Sequence, residues 1–300
     1  MAFIPEPKPT RRDFLRTFGL SAGAILVGGC ARMPILRRKP AVVTRWAFVS
    51  DIHVSLDPKE EYRGFCINDN FKTMAEQVLE ASPEGAVVTG DLARLEGREG
   101  DYRMLWQLIE PLRSRLPVAL ALGNHDDRAN FLKVFTRHVG EPAPVKGKHV
   151  RVVEASGLRF LILDSQMFTN ITPGLLGKAQ REWLRDYLDR SDRRPTFLFL
   201  HHKLSDDDND LLDWDRLARI VVPRKQVKAL VYGHSHEYQY DRIKGLHLIN
   251  IPAVGYNFAD EAPVGWVEAC LSTEGGVLTL HAFAGNTSDN GKTTSLDWRG

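Results

Sequence analysis

Three apolar runs of strand length decide the fold, and all three end in an acid or an amide. They are residues 45–51, RWAFVSD, residues 85–91, GAVVTGD, and residues 117–124, PVALALGN. Between these runs, residues 70–81 and 101–116 place apolar side chains at the spacing of an amphipathic helix. The order β–α–β–α–β is typical of a parallel sheet with helices on its faces, so the sequence predicts an α/β fold.

The second half of the chain predicts antiparallel additions to this architecture. Residues 149–155 and 158–165 have the composition of two strands and flank Ser156 and Gly157, which indicates a hairpin. A helix is expected at residues 177–191, where apolar side chains recur at helical spacing. Two further strands should end at His201 and His234, and three closing strands should follow at residues 246–252, 266–272 and 276–283.

The composition is that of a folded globular chain without a strongly charged surface. Of the 300 residues, 43 % are hydrophobic and 26 % are charged, which is close to globular averages. The net charge of +2 comes from the first thirty residues, where four basic residues face two acidic ones. The rest of the chain is therefore neutral and lacks the basic surface that nucleic-acid binding usually needs, so we expect no nucleic-acid partner.

Residues 1–30 are predicted to be an export signal. A basic segment containing Arg11 and Arg12 precedes an apolar segment that is too short for the ~20 residues that span a bilayer. The paired arginines, followed by Phe14 and Leu15, resemble a twin-arginine signal, and an ordinary secretory signal is the alternative. We therefore expect an exported protein, periplasmic or otherwise extracytoplasmic.

Residues 27–30, VGGC, resemble a bacterial lipoprotein cleavage box, in which Cys30 accepts lipid and anchors the protein to a membrane. Soluble release after cleavage nearby is the alternative. Cys66 and Cys270 then remain, either as a disulfide, which an oxidising compartment permits, or as two buried thiols. The rest of the chain divides into a basic tether at residues 31–43, a single domain at residues 44–285 and a loosely packed tail at residues 286–300.

Candidate metal ligands stand at the ends of five predicted strands. The carboxyl ends of parallel strands lie along one edge of a sheet, so these side chains should converge. Gly90, Gly123 and Gly233 are expected to let the chain turn sharply beside them. Oxygen ligands mixed with imidazole favour Mn, Fe or Zn, and seven ligands fit two divalent or trivalent ions ~3.5–4 Å apart. The seven candidates are Asp51, His53, Asp91, Asn124, His201, His234 and His236.

The motifs Asp-x-His, Gly-Asp, Gly-Asn-His-Asp, His and Gly-His-x-His, in this order, resemble those of the calcineurin-like metallophosphoesterase superfamily over about residues 45 to 285. The runs GDLA and LALGNHDDR are similar to its bacterial branch of class III cyclic-nucleotide phosphodiesterases and glycerophosphodiesterases. The resemblance implies a single-domain, four-layer αββα sandwich. One departure is Lys203 after His201 and His202, where the family often has proline.

The resemblance also implies a role for each candidate residue. His125 would contact the phosphate and protonate or stabilise the leaving oxygen, with Asp126 orienting its ring. The metal ligands would divide into Asp51, His53 and His236 for one ion, Asn124, His201 and His234 for the other, and Asp91 as the bridge between them.

Other polar residues near these motifs have two interpretations each. His202 either lines the pocket or supports its neighbour, and Asp164 either supports the site or forms a turn. Arg128 is expected to be a surface charge rather than a substrate contact. Asn70 is expected to be a helix-terminus residue, or one that supports the site from behind the ligands, rather than a substrate contact. The acidic loop at residues 205–215 is expected to be a solvated rim rather than a calcium loop. The remaining candidates, all expected to be structural or surface residues, are His138, His149, His247 and His281.

The expected activity is hydrolysis of a phosphodiester by a hydroxide that bridges two metal ions, with a small-molecule phosphate ester as the substrate. A phosphomonoesterase is the alternative on the same site. A non-catalytic scaffold is disfavoured because every ligand position is filled, and a nuclease is disfavoured because the chain body is neutral. The substrate and the oligomeric state are left open, and specificity is expected in the loops at residues 54–70, 166–178 and 203–216.

Overall fold

A computed structural model describes residues 43–299, which include the predicted domain at residues 44–285. The predicted export signal, the lipid attachment at Cys30 and all but the last residue of the tether lie outside the described residues and stay predictions. Within the described part, no helix has the length and apolar character that crossing a membrane requires.

The first sheet has six strands, and the strand predicted at residues 45–51 lies near its centre. In spatial order they are β15 (Thr293–Asp297), β14 (Gly275–Gly285), β13 (Pro263–Leu271), β1 (Thr44–Val49), β4 (Gly85–Val88) and β5 (Val118–Leu120). Strands β1, β4 and β5 run parallel, whereas β13 pairs antiparallel with β1. The carboxyl ends of the three parallel strands therefore lie together, as the sequence predicts.

The second sheet has seven strands and packs face to face on the first. In spatial order they are β11 (Gln239–Ile243), β12 (Leu246–Asn250), β10 (Val227–Tyr232), β9 (Thr196–Phe199), β8 (Leu158–Ile162), β7 (Arg151–Ala155) and β6 (Glu141–Pro142). Strands β8, β9, β10 and β12 are parallel, and β7 forms the predicted hairpin with β8. A short ribbon, β2 (Glu61–Tyr62) and β3 (Phe65–Cys66), lies outside both sheets.

Within residues 43–299, six helices cover the outer faces of the two sheets. They are α1 (Ile67–Ala81), α2 (Glu99–Leu108), α3 (Glu110–Arg113), α4 (Arg128–Val134), α5 (Gly177–Arg190) and α6 (Trp214–Val221). Helices α1 to α4 share an apolar core with the first sheet, and α5 and α6 share another with the second. A third core, rich in phenylalanine, fills the space between the sheets. The predicted four-layer αββα sandwich is confirmed.

Strand β1 shows how the sequence produces these layers. Successive side chains of a strand point to opposite faces, so Ala47 and Val49 pack with the helices while Trp46 and Phe48 pack between the sheets. Both faces of the strand are buried, which explains its nearly continuous apolar run.

Two predicted boundaries differ from the structure. The single helix expected at residues 101–116 is broken into α2 and α3 at Ile109, because Pro111 cannot donate the backbone hydrogen bond that a continuous helix needs. The predicted loose tail at residues 286–300 instead contains β15, which extends the first sheet and buries Leu296. That strand has one buried apolar side chain among polar ones, so its sequence carries little strand signal. Cys66 and Cys270 are free, partly exposed thiols, so neither of the two alternatives left open by the sequence, a disulfide or two buried thiols, matches the structure.

Candidate metal centre

The predicted ligands converge because each follows the carboxyl end of a strand. Asp51 follows β1, Asp91 follows β4, Asn124 follows β5, His201 follows β9 and His234 follows β10. Nine non-glycine residues of the described chain have positive φ, and five of them are predicted ligands. Such backbone strain accumulates at functional sites, where the surrounding fold must hold it in place. The five are Asp51, His53, Asp91, His234 and His236.

The three glycines beside these ligands serve two purposes. Gly90 has a φ of +127°, which matches the predicted sharp turn. Gly123 and Gly233 do not have positive φ, so a left-handed backbone conformation is not what requires glycine at these two positions. A Cβ at Gly123 would overlap the Asp91 carboxylate, and one at Gly233 would overlap Asp51. These two positions need glycine for close approach of the backbone to a ligand.

The first ligand group, Asp51, His53 and His236, brings three metal-binding atoms together. The Nε2 atoms of His53 and His236 lie 3.2 Å apart, and Asp51 Oδ1 is 3.3 Å from His236 Nε2 and 3.9 Å from His53 Nε2. The outer nitrogens, His53 Nδ1 and His236 Nδ1, lie 3.2 Å and 2.6 Å from the carbonyls of Arg94 and Tyr256. A carbonyl only accepts, so Nδ1 carries the proton and the two Nε2 lone pairs face each other.

The second ligand group, Asn124, His201 and His234, has the same character. Asn124 Oδ1 lies 3.0 Å from His234 Nδ1 and 3.1 Å from His201 Nε2, and the two imidazole nitrogens are 3.2 Å apart. His234 Nε2 donates to the Asn209 carbonyl at 3.1 Å, which leaves Nδ1 unprotonated. A lone pair of His234 therefore faces the amide oxygen of Asn124, an arrangement that a shared cation stabilises.

Asp51 and Asp91 lie between the two groups. Asp91 Oδ2 is 3.3 Å from His201 Nε2 and 3.7 Å from His53 Nε2, while Asp51 Oδ1 is 3.9 Å from His201 Nε2. Each carboxylate thus faces imidazoles of both groups. The bridging position that the resemblance implies for Asp91 is open to Asp51 as well.

The charges of this centre favour a cation. Burial lowers the pKa of His53 to about 3 and that of His234 to about 4. Burial also acts to lower the pKa of His201, but the carboxylates of Asp91 and Asp51 outweigh it and raise the pKa to about 9. Burial raises the pKa of both carboxyl groups, yet His201 and the other histidines around them together outweigh it, and both pKa values end below their usual range. Two buried carboxylates are therefore kept ionised by positive charge.

The donor set fits transition-metal ions. Asp51 Oδ1 is buried without a hydrogen-bond partner, and it lies in both clusters of ligand atoms that fall within 4.8 Å of one another. A buried acceptor without a donor is costly, and a bound cation removes that cost. Mixed carboxylate, amide and imidazole ligands suit Mn, Fe or Zn. The two clusters are Asp51, His53 and His236, and Asp51, Asp91 and His201.

His125 and Asp126 are adjacent in sequence but have separate environments. His125 Nδ1 lies 2.9 Å from the Leu95 carbonyl, and its Nε2 is 4.0 Å from Asp91 Oδ2 at the edge of the centre. The prediction that Asp126 orients this ring is wrong, because His125 Nδ1 bonds the Leu95 carbonyl and both oxygens of the Asp126 carboxylate are taken up by other donors. This carboxylate accepts from the backbone N–H groups of Leu92, Ala93 and Gly123 and from the Tyr102 hydroxyl.

The secondary candidates are structural rather than exposed. Arg128 was expected at the surface, but its guanidinium forms two 2.7 Å bonds to Asp164, which is fully buried. Asn70 Nδ2 donates to the Gly255 carbonyl at 2.9 Å and ties α1 to the loop after β12. His202 is buried, with Nδ1 2.8 Å from Ser165 Oγ. Among the described residues, the ligand groups contact none of the isolated histidines, His138, His149, His247 and His281.

The sequence analysis missed the aromatic residues beside the first ligand group. The ring of Phe258 stacks on that of His236 at 4.2 Å, and the ring of Tyr256 lies 4.8 Å from His53. Both follow β12, which ends at the same edge of its sheet as β10. The signal available in the sequence was the stretch YNF at residues 256–258, which follows a parallel strand. This stretch does not have the chemistry of a metal-ligand motif, so it was passed over.

A fold of this kind with these ligands defines a phosphoesterase. The family model of the calcineurin-like phosphoesterases matches residues 44–238, and the chain belongs to that family and is a phosphoric ester hydrolase. It is 27 % identical over 247 residues to the 3′,5′-cyclic adenosine monophosphate phosphodiesterase CpdA of Haemophilus influenzae, covering 77 % of this chain and 86 % of the relative.

Two further comparisons agree with this class. The chain is 26 % identical over 216 residues to the glycerophosphodiester phosphodiesterase GpdQ of Enterobacter lignolyticus, covering 69 % of this chain and 76 % of that protein. The solved structure of a dimetal phosphatase from Danio rerio superposes with a TM-score of 0.69 at 14 % identity, covering 85 % of this chain and 99 % of that one. At that identity the likeness shows the fold alone.

Proposed function

We propose that this phosphoesterase hydrolyses a phosphodiester at a centre of two metal ions. The observation that carries the proposal is that unprotonated acceptors face each other in both ligand groups, His53 Nε2 against His236 Nε2 in one and His234 Nδ1 against Asn124 Oδ1 in the other. Asp51 and Asp91 contribute negative charge to both groups. Two cations sharing a carboxylate would satisfy all of these acceptors, which one tetrahedral ion would not.

The protein's own residues would position the ester and protonate its leaving group. Bound in the two groups, metal ions would supply a water of lowered pKa and positive charge against the phosphoryl oxygens. His125 has its Nδ1 fixed by the Leu95 carbonyl, which leaves Nε2 free at the edge of the centre. In the protonated imidazolium, Nε2–H can donate to the leaving oxygen, and such a donor contributes typically 10²–10⁴-fold.

The surroundings favour a diester over a monoester. Among the described residues, no lysine or arginine side chain contacts the seven proposed ligands, and the nearby Arg94 is paired with Glu60 at 2.6 Å. A monoester carries more negative charge than a diester and has greater need of such a cation. The two relatives named as phosphodiesterases support the same choice.

The experiment compares two chromogenic esters on metal-depleted and reconstituted protein. After chelation and reconstitution with Mn²⁺, Fe²⁺ or Zn²⁺, we expect turnover of bis(p-nitrophenyl) phosphate to exceed that of p-nitrophenyl phosphate. Chelated protein should hydrolyse neither ester. A higher kcat/KM for the monoester would support the phosphomonoesterase, and a lack of any turnover with both ions bound would favour the non-catalytic scaffold.

We further propose export through the segment at residues 1–30, with lipid attachment at Cys30. The support is the paired Arg11 and Arg12 and the VGGC box alone. Fractionation of expressing cells should place the wild-type protein outside the cytoplasm, and Arg11→Lys combined with Arg12→Lys should retain it inside. Cys30→Ser should release it from the membrane fraction, and an unchanged distribution would contradict lipidation.

A further inference from the structure

Exposed apolar side chains are concentrated on the loops that surround the metal centre. Eleven large hydrophobic side chains of the described residues are exposed, and six of them lie on segments that pass beside the metal centre, five in loops and Tyr62 at the end of β2. The others include Leu132 on α4, Ile243 at the end of β11 and Val277 on β14. We call the six the apolar rim, which consists of Tyr62, Leu95, Phe168, Ile171, Leu212 and Phe258.

Two rim residues lie beside the first ligand group. The ring of Phe258 stacks on His236 at 4.2 Å, yet half of its surface, 50 %, remains exposed. Tyr62 packs edge-on against Tyr256 at 4.7 Å, and Tyr256 in turn lies 4.8 Å from the ring of His53. One side of the centre is therefore walled by aromatic rings.

Phe168 and Ile171 lie beside the second ligand group. They flank Asn170, whose backbone N–H donates to the Asn124 carbonyl at 2.6 Å. Phe168 is the most exposed of the six, at 69 %. Because Asn124 is itself a proposed ligand, this hydrogen bond holds the segment that carries Phe168 and Ile171 against the backbone of the second ligand group.

Leu95 and Leu212 complete the rim. The Leu95 carbonyl accepts from His125 Nδ1 at 2.9 Å, so the backbone at Leu95 lies beside the proposed proton donor. Leu212 follows Asn209, whose carbonyl accepts from His234 Nε2 at 3.1 Å. The same loop exposes three carboxylates, Asp206 to Asp208, which disfavour additional negative charge on a bound molecule.

Apolar side chains left in water around a polar centre mark a binding surface. We propose that the apolar rim binds an uncharged, apolar alcohol substituent of the phosphodiester, either alkyl or aryl. This inference rests on the proposed phosphodiesterase function and specifies its substrate class. The phosphate would then be the only anionic group of the substrate near the site, since the Asp206 to Asp208 segment repels a second one.

The test uses p-nitrophenyl alkyl phosphates, in which p-nitrophenolate always leaves and only the other substituent changes from methyl through butyl to hexyl. Each methylene that is buried against the rim should raise kcat/KM about fourfold, until the chain extends past the rim. A benzyl ester compared with the hexyl ester then distinguishes an aryl from an alkyl substituent. Equal kcat/KM for the methyl and hexyl esters would overturn the inference.

Variants assign the effect to the rim. Phe168→Ser should lower the ratio of hexyl to methyl kcat/KM by at least about tenfold, because about two methylenes lose their contact. Val277→Ser is the matched control, since Val277 is an exposed apolar residue on β14, outside the rim, and should keep the wild-type ratio. An unchanged ratio in Phe168→Ser also overturns the inference. If no ester of the series is hydrolysed, the proposed function fails instead.

Discussion

Two neighbouring clusters of buried polar groups lie at the carboxyl ends of the strands, and they satisfy their charges in opposite ways. Around Asp126, each carboxylate oxygen accepts two hydrogen bonds, from backbone N–H groups and from Tyr102. In the ligand groups, Asp51 Oδ1 has no donor and imidazole lone pairs face each other. The Asp126 cluster is complete as protein, whereas the ligand groups are complete only with cations.

The largest expected effect comes from removing charge from the ligand groups. Asp91→Asn keeps the size of the side chain but removes the carboxylate that lies against both groups. We expect metal-dependent turnover of bis(p-nitrophenyl) phosphate to fall to the level of the chelated wild type, and bound metal measured by mass spectrometry to decrease. Full activity of the variant with two ions bound would contradict the contrast between the Asp126 cluster and the ligand groups, because the metal centre would then not need the charge of Asp91.

His125→Asn is expected to act on some leaving groups and not on others. An alkoxide leaves poorly without a proton, so hydrolysis of a dialkyl phosphodiester should fall by about 10²–10⁴-fold. Turnover of bis(p-nitrophenyl) phosphate should fall much less, because p-nitrophenolate leaves without protonation. Equal losses on both esters would show that His125 positions the phosphate and does not donate a proton.

Asp126→Asn should damage stability more than chemistry. An asparagine amide has one acceptor oxygen, so part of the backbone N–H and hydroxyl donors around position 126 would be left unpaired. The free energy of unfolding, measured in urea on metal-free protein, should fall by about 3 kcal/mol. If the variant has near-native kcat at a temperature where it is folded, the Asp126 cluster acts on stability and the ligand groups on chemistry. A loss of kcat equal to that of Asp91→Asn, with unchanged stability, would contradict this division.

A buried histidine outside the ligand groups gives a smaller, pH-dependent effect. Burial lowers the pKa of His149 to about 4, with His138 and Arg151 acting in the same direction and Asp164 opposing them. Since the unfolded chain has a pKa of about 6.5, it binds the proton first as the pH falls from 7 to 5. The free energy of unfolding should therefore drop about 2 kcal/mol more in the wild type than in His149→Gln. Identical pH dependence in the two proteins would contradict a buried, neutral His149.

Much of this organisation could be predicted from the sequence, and the failures share a physical cause. Strand ends and their ligands are local signals, because an apolar run followed by Asp, Asn or His determines where a side chain emerges. The direction of the Asp126 carboxylate is not local, since it depends on donors from Leu92, Ala93 and Tyr102 on another loop and a helix.

The half-buried ion pair of Arg128 and the aromatic wall at Tyr256 and Phe258 were missed for the same reason. Arg128 pairs with Asp164, which follows β8 in the other sheet. Phe258 reaches His236 only because β12 pairs with β10. Contacts between residues that are far apart in sequence leave no pattern in a single amino-acid sequence. Strand β15 was missed for a different reason, because Leu296 is its only buried residue.

The most direct test of the account is anomalous X-ray diffraction from crystals of protein reconstituted with Mn²⁺. Two anomalous peaks ~3.5–4 Å apart are expected. One should lie within coordination distance of His53 and His236 and the other within that of Asn124 and His234. A single peak at full occupancy, or two ions bound away from these side chains, would contradict the proposed two-metal centre.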